Sequence, residues 1–262
     1  MRVLFAWELG AGLGHVLPLF RIGDRVEQGS GRVLYALADV SASPNGLGER
    51  VILQAPICKR QLAISPYTPE TFADVLLQAG YGSARVLASL LVAWRSLLKL
   101  AGPDVIVADF APTALLAANG MGIPSIAIGT GFCNPPDSWP SFEPGESIST
   151  AALMRKSDVE KAIKEAYALV FGSSPAEPLK LLRARETLLT CWKELDHYAR
   201  QGGVRYVGPV VDGPSAENGI TWRGNHRKIL MYLKPEMQTP TKLLAAATQL
   251  HDTQIRDRKS VV

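Results

Sequence analysis

Apolar residues in this chain fall into short unbroken runs, separated by stretches in which they recur at helical spacing. The first run is Val3-Leu4-Phe5-Ala6-Trp7. A run of this length bounded by glycine predicts a strand buried on both faces. After the turn Leu9-Gly10-Ala11-Gly12-Leu13-Gly14, residues Val16, Leu17, Leu19, Phe20, Ile22 and Val26 follow a helical rhythm over 15–28, and Gly29 and Gly31 stop it. Residues 33–37 predict a second strand. Strand, glycine turn, helix and strand in this order imply a right-handed crossover and a parallel sheet.

The pattern continues. Residues 51–54 predict a third strand, 55–69 a loop, and 70–79 and 83–100 two helices. The run Val105-Ile106-Val107-Ala108 predicts a strand ending at Asp109. A helix over 112–119, a glycine turn and a strand over 125–128 come next. Residues 129–145 are rich in proline and predict a loop. A helix is expected over 158–171, and late strands over 187–190 and 204–207. This alternation predicts an open α/β fold, a doubly wound parallel sheet of the Rossmann-like kind. Residues 208–225 carry glycine and proline with no apolar period and predict a linker. A new strand over 228–233 and a helix over 243–250 follow, and residues 251–262 predict a polar tail. One strand and one helix bury no core of their own, so an incomplete second domain is expected over 226–262, with self-association through it as a consequence.

Composition changes this picture little. Hydrophobic residues make up 47% of the 262 and charged residues 20%, which suits a globular core. A net charge of +4 is too small and too evenly spread to point to nucleic acid. Cys58, Cys133 and Cys191 are scattered, as are His15, His197, His226 and His251. No disulfide framework or metal site is expected from their spacing, and a cytoplasmic location fits, with peripheral attachment to the inner membrane as the alternative. The apolar run between Arg85 and Arg95 is too short to span a bilayer, and glycines and prolines interrupt the uncharged stretch 110–136.

Two residues carry candidate chemistry. His15 stands where the glycine turn enters the first helix, at the carboxyl end of the first strand. Open α/β sheets bind ligands at that edge, and free amides at a helix start favour negative charge. Asp109 ends a later strand on the same edge. A carboxylate holding one imidazole nitrogen leaves the other free to take a proton from a hydroxyl. The competing reading makes Asp109 a cap for the helix near Pro112, and Glu8 a turn residue. A dinucleotide site is the rival use of the turn. Its fingerprint needs glycine where His15 stands, although Asp39 lies about where a ribose-binding acid belongs. No Gly-Lys-Ser/Thr ending supports a P-loop.

The opening Trp7-Glu8-Leu9-Gly10-Ala11-Gly12-Leu13-Gly14-His15-Val16-Leu17-Pro18-Leu19 resembles the N-terminal motif of bacterial UDP-glycosyltransferase-like proteins of the GT-B architecture, family 1 type. The segment Pro103-Asp104-Val105-Ile106-Val107-Ala108-Asp109-Phe110-Ala111-Pro112-Thr113 is similar to a second family motif, and Gly122-Ile123-Pro124 and Ile128-Gly129-Thr130-Gly131-Phe132 follow it. Glu194-Leu195-Asp196-His197-Tyr198, Arg205-Tyr206-Val207-Gly208-Pro209 and Tyr232-Leu233-Lys234-Pro235-Glu236 extend the likeness.

The resemblance implies an N-terminal acceptor-binding domain over 1–207 and the start of a nucleotide-sugar-binding domain after the linker. It implies inverting transfer from a nucleoside-diphosphate sugar, UDP- or dTDP-linked, to the hydroxyl of a small-molecule or lipid-linked acceptor. His15 is the implied general base and Asp109 its orienter. Gly12, Leu13, Gly14, Thr130, Gly131 and Phe132 are the implied loop residues near acceptor and donor. No metal or further cofactor is called for. The His-Cys-Gly-Gly-like donor stretch of the family is absent from the sequence. The expectation is therefore a truncated form, inactive unless the donor domain is supplied. The alternatives are a non-catalytic auxiliary partner of the same fold or an NAD(P)-binding oxidoreductase.

Overall fold

In the computed structural model the described residues are 1–43, 50–58, 68–143, 145–200, 202–211, 227–231, 249 and 253–257. The chain divides into two compact units, Met1–Val211 and Asp212–Val262.

The first unit is built on a seven-stranded sheet with the order β3-β2-β1-β4-β5-β6-β7. The strands are β1 (Arg2–Trp7), β2 (Arg32–Leu37), β3 (Val51–Gln54), β4 (Val105–Asp109), β5 (Ser125–Gly129), β6 (Glu186–Leu189) and β7 (Arg205–Tyr206). Every neighbouring pair is parallel. From β1 the chain winds outward through β2 to β3, then returns to the other side of β1 and winds outward again from β4 to β7. The winding therefore reverses between β1 and β4.

Alternation along β1 divides the core into two. Val3, Phe5 and Trp7 point to one face and meet Val16, Leu19 and Phe20 of helix α1 (Leu13–Gln28). Leu4 and Ala6 point to the other face, toward helices α2 (Phe72–Leu76), α3 (Ala84–Ala101), α4 (Pro112–Met121) and α5 (Thr150–Phe171). The result is three layers, α/β/α, as expected of a doubly wound Rossmann-like fold. Helix α1 comes down closely on β2, because a side chain at Gly23 would meet the hydroxyl of Tyr35.

Helix ends obey local chemistry. Ser83 accepts from the amide of Val86 to start α3, and Gly102 ends it in the left-handed conformation. Pro112 opens α4 and left-handed Gly122 closes it.

Three elements differ from the sequence expectation. The helix expected over 70–79 is a short α2 followed by a wider turn over Leu77–Tyr81, broken where Gly80 takes φ 97°. Helix α5 begins at Thr150 rather than 158, since the Ser149 side chain accepts from the amide of Ala152 and caps it. In the second unit, the polar tail contains a strand: β8 (Arg227–Met231) pairs in parallel with β9 (Thr253–Asp257). The linker beyond 211, most of the loop over 55–69 and all but residue 249 of the helix expected over 243–250 lie outside the described residues. Among those described, no single helix is long and apolar enough to cross a membrane.

Candidate functional site

Strand register places the two candidate residues on one edge. Trp7, the last residue of β1, pairs with Asp109, the last of β4. His15 follows β1 after the glycine turn, in the first turn of α1. Its Nδ1 lies 3.1 Å from Asp109 Oδ1, a contact across 94 residues of sequence. It forms where the winding of the sheet reverses, the crevice in which open α/β sheets hold ligands.

The two side chains differ in surroundings. The His15 side chain is 20% exposed and that of Asp109 is 3% exposed. Burial pushes the Asp109 carboxyl above the usual carboxylate range, while the His15 hydrogen bond pulls it back. The imidazole stacks beside Trp7, with ring centroids 5.7 Å apart, and meets Phe110 at 5.9 Å. Its other nitrogen, Nε2, faces Gly10, where a Cβ would come within 2.5 Å of it. Gly10 and Gly12 both have left-handed φ values. Helix α1 starts after Gly12 with no side-chain cap, and neither Gly12 nor Gly14 crowds the space around it. Leu13 is exposed.

The loop after β5 completes this edge. Gly129, at φ 118°, passes so close to Asp109 that a Cβ there would sit 2.7 Å from Oδ1. Thr130 is exposed and precedes a short turn over Gly131–Cys133. The turn brings Cys133 to the dyad. One donor atom each from His15, Asp109 and Cys133 lie within 4.8 Å of one another. Gly131 is buried against Asp196, and Arg200 both pairs with Asp196 and donates to the carbonyls of Gly131 and Asn134. Phe132 packs in an aromatic cluster with Phe110, Phe142 and His197. Beside it opens a cavity of about 290 Å³, bordered by Phe72, Phe110, Cys133, Trp139, Arg183 and Arg200.

The cap at α4 is not Asp109. Glu8, 5% exposed, reaches across from β1, and its carboxylate accepts from the amides of Thr113 and Ala114. Burial pushes its carboxyl up to about 8, against the opposing pull of the Thr113 side chain and the two amides. Thr113 in turn bonds the hydroxyl of fully buried Tyr81 at 3.0 Å. A sequence reading finds Glu8 only by its place beside the glycine turn. Nothing local shows that its partners lie 105 and 106 residues away. Asp39 accepts from the amide and hydroxyl of Ser41 and closes a local turn after β2.

A parallel sheet with reversed winding and a histidine–carboxylate pair on its carboxyl edge define a Rossmann-like α/β protein. No protein-family profile matches the sequence, and no curated protein matches it. Solved structures do. The glycosyltransferase of kitacinnamycin matches with TM-score 0.62 and 18% identity, over 98% of this chain and 65% of that one. The calicheamicin glycosyltransferase CalG4 matches with TM-score 0.62 and 18% identity, over 98% and 64%. The spinosyn rhamnosyltransferase SpnG matches with TM-score 0.59 and 15% identity, over 98% and 65%. The first unit thus has the fold of the N-terminal Rossmann-like domain of GT-B glycosyltransferases. It spans about 65% of the length of the first structures it matches.

Proposed function

We propose that this chain provides the acceptor side of a glycosyltransferase, with His15 as general base and Asp109 as the group that orients it. The observation carrying the reading is the 3.1 Å contact between His15 Nδ1 and Asp109 Oδ1 at the switch point. Held through Nδ1, the imidazole presents Nε2 to an acceptor hydroxyl. The hydroxyl proton passes to Nε2 as its oxygen bonds to the anomeric carbon of the sugar. The bond to the nucleoside diphosphate breaks on the opposite side and its electrons leave with the diphosphate, so the anomeric centre inverts. The buried carboxylate then faces the imidazolium that forms and stabilises it.

The aromatic rings beside the dyad, of which Phe110 also borders the 290 Å³ cavity, suit a hydroxylated small molecule with an apolar body. SpnG has been captured with spinosyn aglycone and with thymidine diphosphate, which supports an acceptor of natural-product type and a dTDP- or UDP-sugar donor. In this reading Gly12, Leu13 and Gly14 border the reacting hydroxyl, and Thr130, Gly131 and Phe132 border the acceptor body. The donor half comes from residues beyond those that carry this site.

The test is nucleoside diphosphate release with a panel of hydroxylated acceptors, run on the chain alone and on the chain joined to the C-terminal domain of a GT-B enzyme. The joined protein is expected to transfer sugar, and His15→Ala to slow it by roughly 10²–10⁴-fold. Transfer that survives His15→Ala overturns the base assignment.

A further inference from the structure

We propose that His15, Asp109 and Cys133 together bind one thiophilic divalent cation of the zinc class, in competition with proton transfer at His15. Only the competition clause rests on the reading of His15 as base. The binding does not.

The donors are one imidazole, one carboxylate and one thiol, all within 4.8 Å of one another. Tetrahedral zinc, with bonds of about 2.0–2.3 Å, holds its ligand atoms roughly 3–4 Å apart, so a small contraction closes the site. Three protein donors leave one position for solvent, and the partly exposed imidazole sets the site at the solvent boundary. The mixed nitrogen, oxygen and sulfur set suits zinc or cobalt better than magnesium or calcium.

Each donor comes from a different segment, and the sheet fixes all three. Asp109 pairs in register with Trp7 of β1 on one side and with Ile128 of β5 on the other. His15 follows the first of these strands and Cys133 the second. Gly129 keeps the β5 loop tight against the carboxylate.

Binding converts the thiol to a thiolate, and its proton is released to solvent. Thr130 Oγ1, 3.6 Å from the sulfur, is placed to bond the resulting thiolate. A cation held this way occupies the imidazole and carboxylate that proton abstraction needs.

Titration of the full chain with Co²⁺ tests the proposal, read by thiolate-to-cobalt absorption in the near ultraviolet. One equivalent is expected to saturate the band, and Zn²⁺ to remove it. Cys133→Ser and Cys133→Ala should both abolish it, while His15→Ala and Asp109→Asn should each weaken binding by at least about tenfold, the loss that even an outer-sphere partner causes. Absence of a saturable band overturns the site. So does a band that survives both Cys133 variants, since it belongs to Cys58 or Cys191. Transfer rates measured in chelator report separately on the base. Cobalt binding as expected with transfer insensitive to His15→Ala keeps the metal site and removes the base, and the reverse pattern does the opposite.

Discussion

A side-chain carbon on residue 10 would stand 2.5 Å from Nε2 of His15, the ring nitrogen opposite the one that meets Asp109. The room around that nitrogen exists because residue 10 is glycine. Gly10 also adopts φ 81°, which glycine reaches without steric cost.

Gly10→Ala should therefore do two things. The left-handed backbone costs about 1–2 kcal/mol of stability. The new methyl group also displaces the imidazole, and a shift of about 1 Å at a reacting group can cost ~10²-fold in rate. Gly12→Ala separates the effects. Gly12 has φ 90°, yet a Cβ there meets nothing within 4 Å. Urea unfolding of both variants should show a loss of stability from the backbone alone. The His15 ring resonances and the transfer rate of the joined protein should move far more in Gly10→Ala.

Glu8 supplies a pH prediction. Its carboxyl is raised from an ordinary 4.5 to about 8 in the folded chain, by burial. The folded state thus holds the proton more tightly than the unfolded state does. That contribution to stability is complete below about pH 4.5 and is lost as pH rises toward 8, at up to about 1.4 kcal/mol per pH unit. Glu8→Gln resembles the neutral acid and has no proton to lose. Denaturation at pH 5 and pH 8 should show the variant gaining on the wild type as pH rises. A difference that stays flat across that window would refute the assignment.

Tyr35 supplies a packing prediction. Its ring stacks on Phe20 at 4.1 Å, but its hydroxyl is buried with no hydrogen-bond partner among the described residues. A buried unsatisfied hydroxyl costs about 1–3 kcal/mol. Tyr35→Phe keeps the stack and removes the unpaired group, so it should raise stability by about 1 kcal/mol. Thermal unfolding or a urea midpoint would show it, and a loss of stability would contradict it.

Features written in consecutive residues were legible in advance. The β1–turn–α1–β2 unit and the Val105–Asp109 strand are dense apolar runs with glycine breaks, and burial on both faces leaves such runs little choice of structure. The His15–Asp109 pairing could be read because Asp109 ends one strand of the parallel sheet and His15 follows the end of another by a single glycine turn. What escaped depends on partners distant in the chain. The start of α5 is set by Ser149, which Glu70 holds from 79 residues away, while residues 150–157 show no apolar period. Strand β9, Thr-Gln-Ile-Arg-Asp, is mostly polar, and only its pairing with β8 reveals it. Cys133 lies in a proline-rich loop with no ligand spacing to announce it, and it reaches the dyad through the turn after β5.

The reversal of winding between β1 and β4 also sets a timetable. His15 leaves the ribosome before its partner, which follows 94 residues later. At ordinary rates of synthesis that interval lasts roughly 5–20 s. Once β2 has followed, β1 has a neighbour on one side and nothing on the side where β4 will pair, so Trp7 and the imidazole wait at an unfinished edge. The pocket is thus assembled late, when the second half of the sheet docks on the first, and a nascent chain stalled before Asp109 would have its histidine without the group that aims it.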